Sequence, residues 1–470
     1  MRPICSTAAV SWEGYELSTG VKTQQTAACH DISLLKSNYK YEDAPDEAKF
    51  SQCVHCGICL EACPTYQQTG LEPHSPRGRV YLIKSVAEGK LDLNEYFANP
   101  VETCLDCRAC ETACPSGVQV GALIEEARGQ LYKAEPPSGV SGLVHNLFLH
   151  KLFPYPKRLH AVQKLLKIYQ KSGLRFAARK TKLLRVLPTH LREMEQALPD
   201  IRTSPVLHRL PQSLPPIGPK RAKVAVLTGC VMDVVYSDIN EATVHVLRQN
   251  GCEVWIPQQQ SCCGALHVHA GDRDMAKTLA RRNIDVFLSE DIDAIIINAA
   301  GCGSTLKEYE ELLKHDEAYH GKAQLFSEKV TDVSRFLDRL GLIPPKGRLD
   351  LTVTYHDACH LAHAQKIRVE PRKMLESIPG LRTVPLPDAD RCCGSAGIYN
   401  LTHPEMAGQL LERKLDDIPA GCDAVVMGNP GCMMQFQVGV VRHNRPEKIL
   451  HTIQLLDWAY KEINPMEQGG

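Results

Sequence analysis

The chain lacks any run of apolar residues approaching the roughly 18 that a membrane-spanning helix needs, so no spanning helix is expected. Its first 25 residues hold Trp12, Glu13, Glu16 and Lys22 and no apolar core, which argues against a secretory signal. It has no charge surplus: 54 Lys+Arg balance 54 Asp+Glu. With no basic field and no nucleic-acid motif, nucleic acid is excluded as an expected partner. No G-x-G-x-x-G follows a strand-like run, so the chain is expected to bind no dinucleotide itself. Two local absences also mark the sequence. Residues 131–222 have no cysteine, and Lys151–Arg185 carries eleven Lys/Arg but no acid.

Cysteine is plentiful instead, with 20 in 470 residues. A disulfide scaffold would need an oxidising compartment, and a chain this long does not need such staples. Cysteines two or three residues apart pair poorly with each other but wrap a metal centre readily. A reducing compartment and metal ligation are therefore expected. The expected location is the cytoplasm, with peripheral contact at the cytoplasmic face of the inner membrane as an option.

Eight cysteines form two runs: Cys53-Val-His-Cys56-Gly-Ile-Cys59-Leu-Glu-Ala-Cys63-Pro64 and Cys104-Leu-Asp-Cys107-Arg-Ala-Cys110-Glu-Thr-Ala-Cys114-Pro115. Both read C-x2-C-x2-C-x3-C-P, the two-cluster ferredoxin spacing in which the fourth cysteine of each run serves the other 4Fe–4S cluster. Three close thiolates wrap one cluster, and the x3 step carries the fourth away. The following proline suits a turn or a first helical position, where no amide donor is required. Cys53, Cys56, Cys59 and Cys114 are expected to hold cluster 1, and Cys104, Cys107, Cys110 and Cys63 cluster 2. Zinc is the alternative, but zinc sites ordinarily use paired C-x2–4-C motifs. Between the runs, Ser75 reads as an N-cap with Pro76 at the first helical position. Arg77 and Arg79 are candidates to stand near a cluster and favour its reduced state; a solvated helix start is the plainer reading.

The acid-free stretch Lys151–Arg185 has Leu159, Val162, Leu165 and Leu166 at helical spacing, so part of it reads as a basic amphipathic helix. Such a helix either docks on an anionic surface or packs across the two halves of the chain.

Residues 223–465 contain a repeat. Cys230, Cys262-Cys263-Gly264 and Cys302 recur as Cys359, Cys392-Cys393-Gly394 and Cys432. The offsets are 129 (359 − 230), 130 (392 − 262) and 130 (432 − 302). Short β-branched runs precede the cysteines, at 223–228, 293–298, 351–355 and 423–427, with helical segments at 275–288 and 405–415. Strands alternating with helices predict a parallel-sheet α/β domain in each repeat, with the cysteines past strand C-ends where such sheets bind ligands. The four thiolates of each repeat suit a further iron–sulfur cluster or zinc; a redox-inert remnant is the remaining alternative. His356, Asp357, His360 and His363 crowd around Cys359 with no match in the first repeat. Satisfied surface histidines are the plainer reading, and a substrate or quinone contact the sharper one.

The expected fold is an α+β multidomain chain, with an N-terminal α-helical two-cluster ferredoxin domain followed by two α/β Cys-Cys-Gly repeat domains. The expected divisions are a poorly ordered extension at 1–45, with Cys5 and Cys29 free, and a ferredoxin-type domain at 46–130. A basic helical linker follows at 131–222, with repeats at 223–348 and 349–465.

These motifs occur in one order: the first run, SPRGRVYLIK from Ser75, the second run followed by Pro115-Ser116-Gly117, then two Cys-Cys-Gly repeats ending in Gly428-Asn429-Pro430-Gly431-Cys432. Over roughly 45–460 the chain resembles the iron–sulfur subunits of bacterial glycolate oxidase (glycolate dehydrogenase). More distantly it is similar to the Cys-Cys-Gly subunits of heterodisulfide reductase and lactate-utilisation complexes. The resemblance implies a division of labour. A partner FAD subunit oxidises a 2-hydroxy acid, glycolate, and this chain passes the electrons on towards a quinone. The chain then has no catalytic residues of its own and is an enzyme only as a subunit. A reductase with chemistry at the repeats is the alternative. The wider superfamily ends its repeats in Cys-x-x-Cys; Ala299 and Asn429 replace the first of those cysteines here, which weighs against that chemistry. A structural metal-binding adaptor would not need tandem redox runs.

Overall fold

The computed structural model describes residues 37–463 apart from 182, 187 and 202. Cys5, Cys29 and the expected extension up to residue 36 lie outside the described residues. Residues 37–45 are packed rather than loose. The Asn38 amide donates to the Val86 carbonyl (3.1 Å) and the Tyr39 hydroxyl to that of Ile83 (3.1 Å). Buried Asp43 pairs with Lys277 (2.6 Å) and Arg273 (3.3 Å) of the first repeat. Residues 37–45 of the expected extension thus pack onto the rest of the chain, because distant partners hold a segment that has no periodicity of its own.

The ferredoxin-type region is helical around Phe50, Val80, Ile83, Phe97, Val101, Leu123 and Ile124. Ser75 caps the helix Pro76–Ala87 as expected, its hydroxyl accepting from the Gly78 amide at 3.0 Å. Pro64 opens the helix Pro64–Thr69, whereas Pro115 lies in a turn. The helix Val120–Ala134 runs through the boundary expected at 130.

Helices fill the linker, including Pro156–Lys171 and Leu174–Lys180. In the first, Leu159 is buried but Leu165 and Ile168 are exposed, so its apolar face is only partly covered. Acids beyond the acid-free window neutralise part of its charge: Arg175 pairs with Asp200 (2.7 Å) and Arg179 with Glu195 (3.2 Å).

The repeats have one topology. The first sheet contains β1 (Ser213–Leu214), β2 (Ala222–Val226), β3 (Cys252–Trp255), β4 (Ala294–Ile297) and β5 (Val330–Asp332), in the order β1-β3-β2-β4-β5. Only β1 is antiparallel. The second contains β6 (Thr352–Tyr355), β7 (Arg382–Val384), β8 (Ala424–Met427) and β9 (Lys448–His451), all parallel, in the order β7-β6-β8-β9. Strand order reverses between β2 and β4, and again between β6 and β8, and all eight repeat cysteines follow strand ends around these switch points. The repeats share a continuous apolar core. At their junction His451 Nε2 donates to the Asn298 carbonyl (2.8 Å), and the Ala300 amide donates to that of Gly428 (3.1 Å).

Candidate metal centres

The two ferredoxin-type loops share an unusual backbone. His55 and Gly57 in the first, and Asp106 and Arg108 in the second, have φ of 55°, 88°, 49° and 60°. Only glycine adopts this region freely, so the other three are held there by their surroundings. Burial pushes the Cys59 thiol up, and Cys53 and Cys114 add to it. Burial likewise pushes Cys107 and Cys110 well up, and Cys63 and Cys104 add to both. Cys63, Cys104, Cys107 and Cys110 line one common cavity, and Cys114 lies near Cys59 and Cys53. Buried, unpaired thiols facing one another fit a thiolate-bound cluster; among the described residues every cysteine is free of a disulfide.

The two sets differ in setting. Cys56 is exposed, and Val54, Ile58 and Tyr81 near it are 71%, 56% and 59% exposed. Cys63 and Cys107 are buried. Arg79, itself buried, donates to Cys63 Sγ (3.8 Å), Thr65 Oγ1 (3.0 Å) and the Pro100 carbonyl (2.6 Å). Arg77 donates to the His55 carbonyl (3.1 Å) beside the exposed set and pairs with Glu72 (2.6 Å). Both arginines thus stand at the runs, Arg79 against a ligand sulfur and Arg77 against loop backbone.

In the first repeat Cys262 Sγ lies 3.5 Å from Cys230 Sγ, and Cys263 interacts with Cys262 and Cys302. In the second, Cys359 meets Cys392, and Cys393 meets both Cys392 and Cys432. Each Cys-Cys-Gly motif turns on a left-handed glycine; a Cβ on Gly394 would meet the Ala407 carbonyl at 2.7 Å. Hydrogen bonding to Cys262, then burial, pushes the Cys230 thiol well up. Cys359 moves the other way, pulled well down by its hydrogen bond with Cys392 and by the His360 imidazole. Asn429 donates to Cys432 Sγ (3.3 Å) and accepts from the Gly301 amide (3.2 Å), so it bridges the repeats where the superfamily has a cysteine. Ala299 offers only a methyl group.

Surroundings separate these sites too. Phe153, Leu159 and His160 of the linker cover the first. The second packs against the ferredoxin-type region, with Cys359, Cys392 and Tyr399 in one cluster with Leu105, Cys107 and Ala109. The reading of satisfied surface histidines does not hold here: His356, His360 and His363 are all buried. His363 bonds Thr112 Oγ1 (3.0 Å) and the Asp390 carbonyl (3.0 Å), and Asp357 pairs with Arg372 (2.6 Å). Neither ring nitrogen of His356 bonds a nitrogen or oxygen, and its imidazole meets the Cys393 thiol. Interface residues from three parts of the fold pulled these side chains inward. Sequence reasoning also missed His269, whose ring nitrogen meets Asp106 and His360, all three ligand atoms lying within 4.8 Å. No local spacing links these three.

Family models match along the chain: "4Fe-4S dicluster domain" at 49–118, "Glycolate oxidase iron-sulfur subunit, linker region" at 141–198, and "Cysteine-rich domain" at 224–307 and 353–437. The chain is 41% identical to the probable glycolate oxidase iron-sulfur subunit of Bacillus subtilis, over 89% of this chain and 95% of that protein. It is 34% identical to the glycolate oxidase iron-sulfur subunit of Escherichia coli, over 81% and 88%. Lactate utilization protein A of a Geobacillus strain is 29% identical over half of this chain and 99% of its own. The matched regions run from the ferredoxin-type loops through both repeats, and on this basis the chain belongs to the family of glycolate oxidase iron–sulfur subunits.

Proposed function

We propose that the protein is the electron-transfer subunit of a glycolate-oxidising complex, taking electrons from a partner flavoprotein and passing them through two 4Fe–4S clusters. The observation that supports this reading is the gathering of Cys63 with Cys104, Cys107 and Cys110 in one cavity beside the second repeat, while Cys56 of the first run is exposed. Electrons enter at the exposed set, where Val54, Ile58 and Tyr81 form an apolar rim for the partner carrying FAD. They leave through the buried set. The ligands are Cys53, Cys56, Cys59 and Cys114 for cluster 1, and Cys104, Cys107, Cys110 and Cys63 for cluster 2. In the second repeat, Cys359, Cys392, Cys393 and Cys432 hold a third iron–sulfur centre, a reading supported by their packing against Cys107. Cys230, Cys262, Cys263 and Cys302 hold a metal, cluster or zinc, beneath the linker helix.

A quinone is the proposed acceptor. Supporting it is a cleft of about 450 Å³ lined by Arg128, Tyr132, His145, His269, Tyr399 and His403, a size that suits a small molecule. The Tyr399 hydroxyl donates to the Thr103 carbonyl (3.0 Å) next to Cys104, and its ring packs with Cys392. No helix among the described residues is long and apolar enough to cross a membrane. Peripheral contact with an anionic membrane is supported by exposed Leu165, Ile168 and Phe176 beside Lys164 and Lys171. Co-sedimentation with anionic liposomes would then fall as salt rises.

The test is activity by parts. The anaerobically purified chain with glycolate and an artificial acceptor gives no turnover, and adding the flavin subunit restores it. Turnover by the chain alone would contradict the relay.

A further inference from the structure

We propose that His356 is a ligand of the iron–sulfur centre in the second Cys-Cys-Gly repeat, which makes that centre different in kind from anything in the first. The inference rests on the reading that the second repeat holds such a centre. His356 follows β6 directly, and its amide donates to the Val426 carbonyl at 2.9 Å. Leu227, one residue past β2, makes the corresponding bond to Ile296 at 3.2 Å. The two residues therefore occupy one position in the duplicated fold, 129 apart (356 − 227) like Cys359 and Cys230. Evolution of the pair has put an aliphatic side chain at one and an imidazole at the other.

The imidazole is fully buried, and neither ring nitrogen bonds a protein nitrogen or oxygen. The polar group it does meet is the Cys393 thiol, which Cys392 and Cys432 and then this imidazole pull down. Buried polar groups normally have a partner. On one side the ring meets only the Phe436 ring, 5.0 Å away between centroids. What it does face is sulfur. A His356 nitrogen, Cys393 Sγ and Cys432 Sγ all lie within 4.8 Å of one another. Ligand atoms bound at roughly 2.0–2.3 Å to one metal ion stand somewhat under 4 Å apart, so small adjustments would close this set on iron. Of the other histidines nearby, His363 is committed to Thr112 and Asp390, while His360 lies with its Nδ1 3.8 Å from Cys359 Sγ and also meets Asp106 and His269. Asn429 stays out of the set, since its amide nitrogen donates to Cys432 Sγ.

A neutral imidazole at this iron, where the wider superfamily has a further cysteine thiolate in the repeat, adds no negative charge and favours a higher reduction potential, as in clusters with mixed cysteine and histidine ligands. The second repeat then lies energetically below the all-cysteine clusters. With clusters bound, Cys107 of the ferredoxin-type region and Cys359 and Cys392 of the second repeat, which pack together, would hold donor and acceptor side by side for a one-electron transfer in this direction. The first repeat, with Leu227 at this position, lacks that bias.

The test uses full-length protein purified anaerobically with 15N-histidine and 57Fe, and needs neither glycolate nor the partner. The ferredoxin clusters have only cysteine ligands, so a strongly coupled histidine nitrogen in pulsed EPR of the reduced protein reports this centre alone. We expect that coupling in the wild type, its loss in His356→Leu, and its retention in His363→Gln. Mössbauer spectra of the same samples cover a diamagnetic state: one class of iron should change in His356→Leu while the ferredoxin iron stays. Nitrogen coupling and Mössbauer spectra both unaffected by His356→Leu would overturn the proposal, as would a second repeat holding zinc or no metal. Failure here leaves the relay untouched, because the relay is tested by turnover with and without the flavin subunit.

Discussion

Gly57 and Arg108 occupy the same place in the two ferredoxin-type loops, both left-handed, at φ 88° and 60°. Around Gly57 the chain is open: Cys56, Val54 and Ile58 face solvent. Around Arg108 it is closed. The buried guanidinium donates to Glu125 (2.8 Å) and Glu308 (3.0 Å) and lies 3.6 Å from Asp106, tying the second loop to the helix Val120–Ala134 and to the first repeat. One ligand spacing thus serves two settings. Under the proposed assignment, this difference would give the pair of clusters a direction, with an exposed end for a partner and a buried end for the rest of the chain.

Swapping the distinguishing residues should break this contrast unequally. Arg108→Gly relieves a strained backbone but strands Asp106, Glu125 and Glu308 in the interior. We expect a loss of about 3 kcal/mol in urea unfolding, in line with removing one partner of a buried pair. Gly57→Ala should cost only about 1 kcal/mol, the left-handed penalty, since the atom its Cβ would crowd is the mobile Arg77 Nη1 at 2.7 Å. Equal losses would mean that the two loops are held alike.

The junction between the repeats supplies a pH test. Burial lowers the His451 imidazole from 6.5 to about 4, with its Nε2 bonded to the Asn298 carbonyl and its Nδ1 accepting from the Ile453 amide. A proton on Nδ1 would face an N–H donor. The unfolded chain binds that proton below pH about 6.5 and the folded chain only near 4, so stability falls as pH drops through that window. The loss approaches about 3 kcal/mol at the acid end. His451→Gln should flatten this part of the profile; an unchanged slope would assign it to other groups.

A smaller effect is expected at Arg79, the cation against Cys63. Arg79→Gln should lower the potential of the buried cluster by up to about 60 mV, the one-electron equivalent of a tenfold change. Arg77→Gln, at the exposed loop, should shift its cluster less, because water screens that site. The reverse ranking in a redox titration would contradict the assigned surroundings.

Much of this architecture was legible in the residues. Cysteine spacing, the Ser75 cap, and the β-branched runs before each repeat cysteine are local patterns, and the structure forms the corresponding loops, cap and strands. What was not legible depends on contacts far apart in sequence. His360 and His363 are buried by contacts with Asp106 and Thr112 of the ferredoxin-type region, and His356 by Phe436 and the cysteines of its own repeat. The docking of residues 37–45 needs Arg273 and Lys277, more than 200 positions away. The acid-free window missed Glu195 and Asp200, which lie just beyond it and fold back onto Arg175 and Arg179.

The crossed ligation of the two runs is the centre of the account, and matched substitutions test it most directly. Cys56→Ser and Cys114→Ser should leave the same residual EPR spectrum after reduction, because both strike the exposed cluster. Cys107→Ser and Cys63→Ser should share the other. If Cys114→Ser instead matches Cys107→Ser, each run holds its own cluster and the account is wrong.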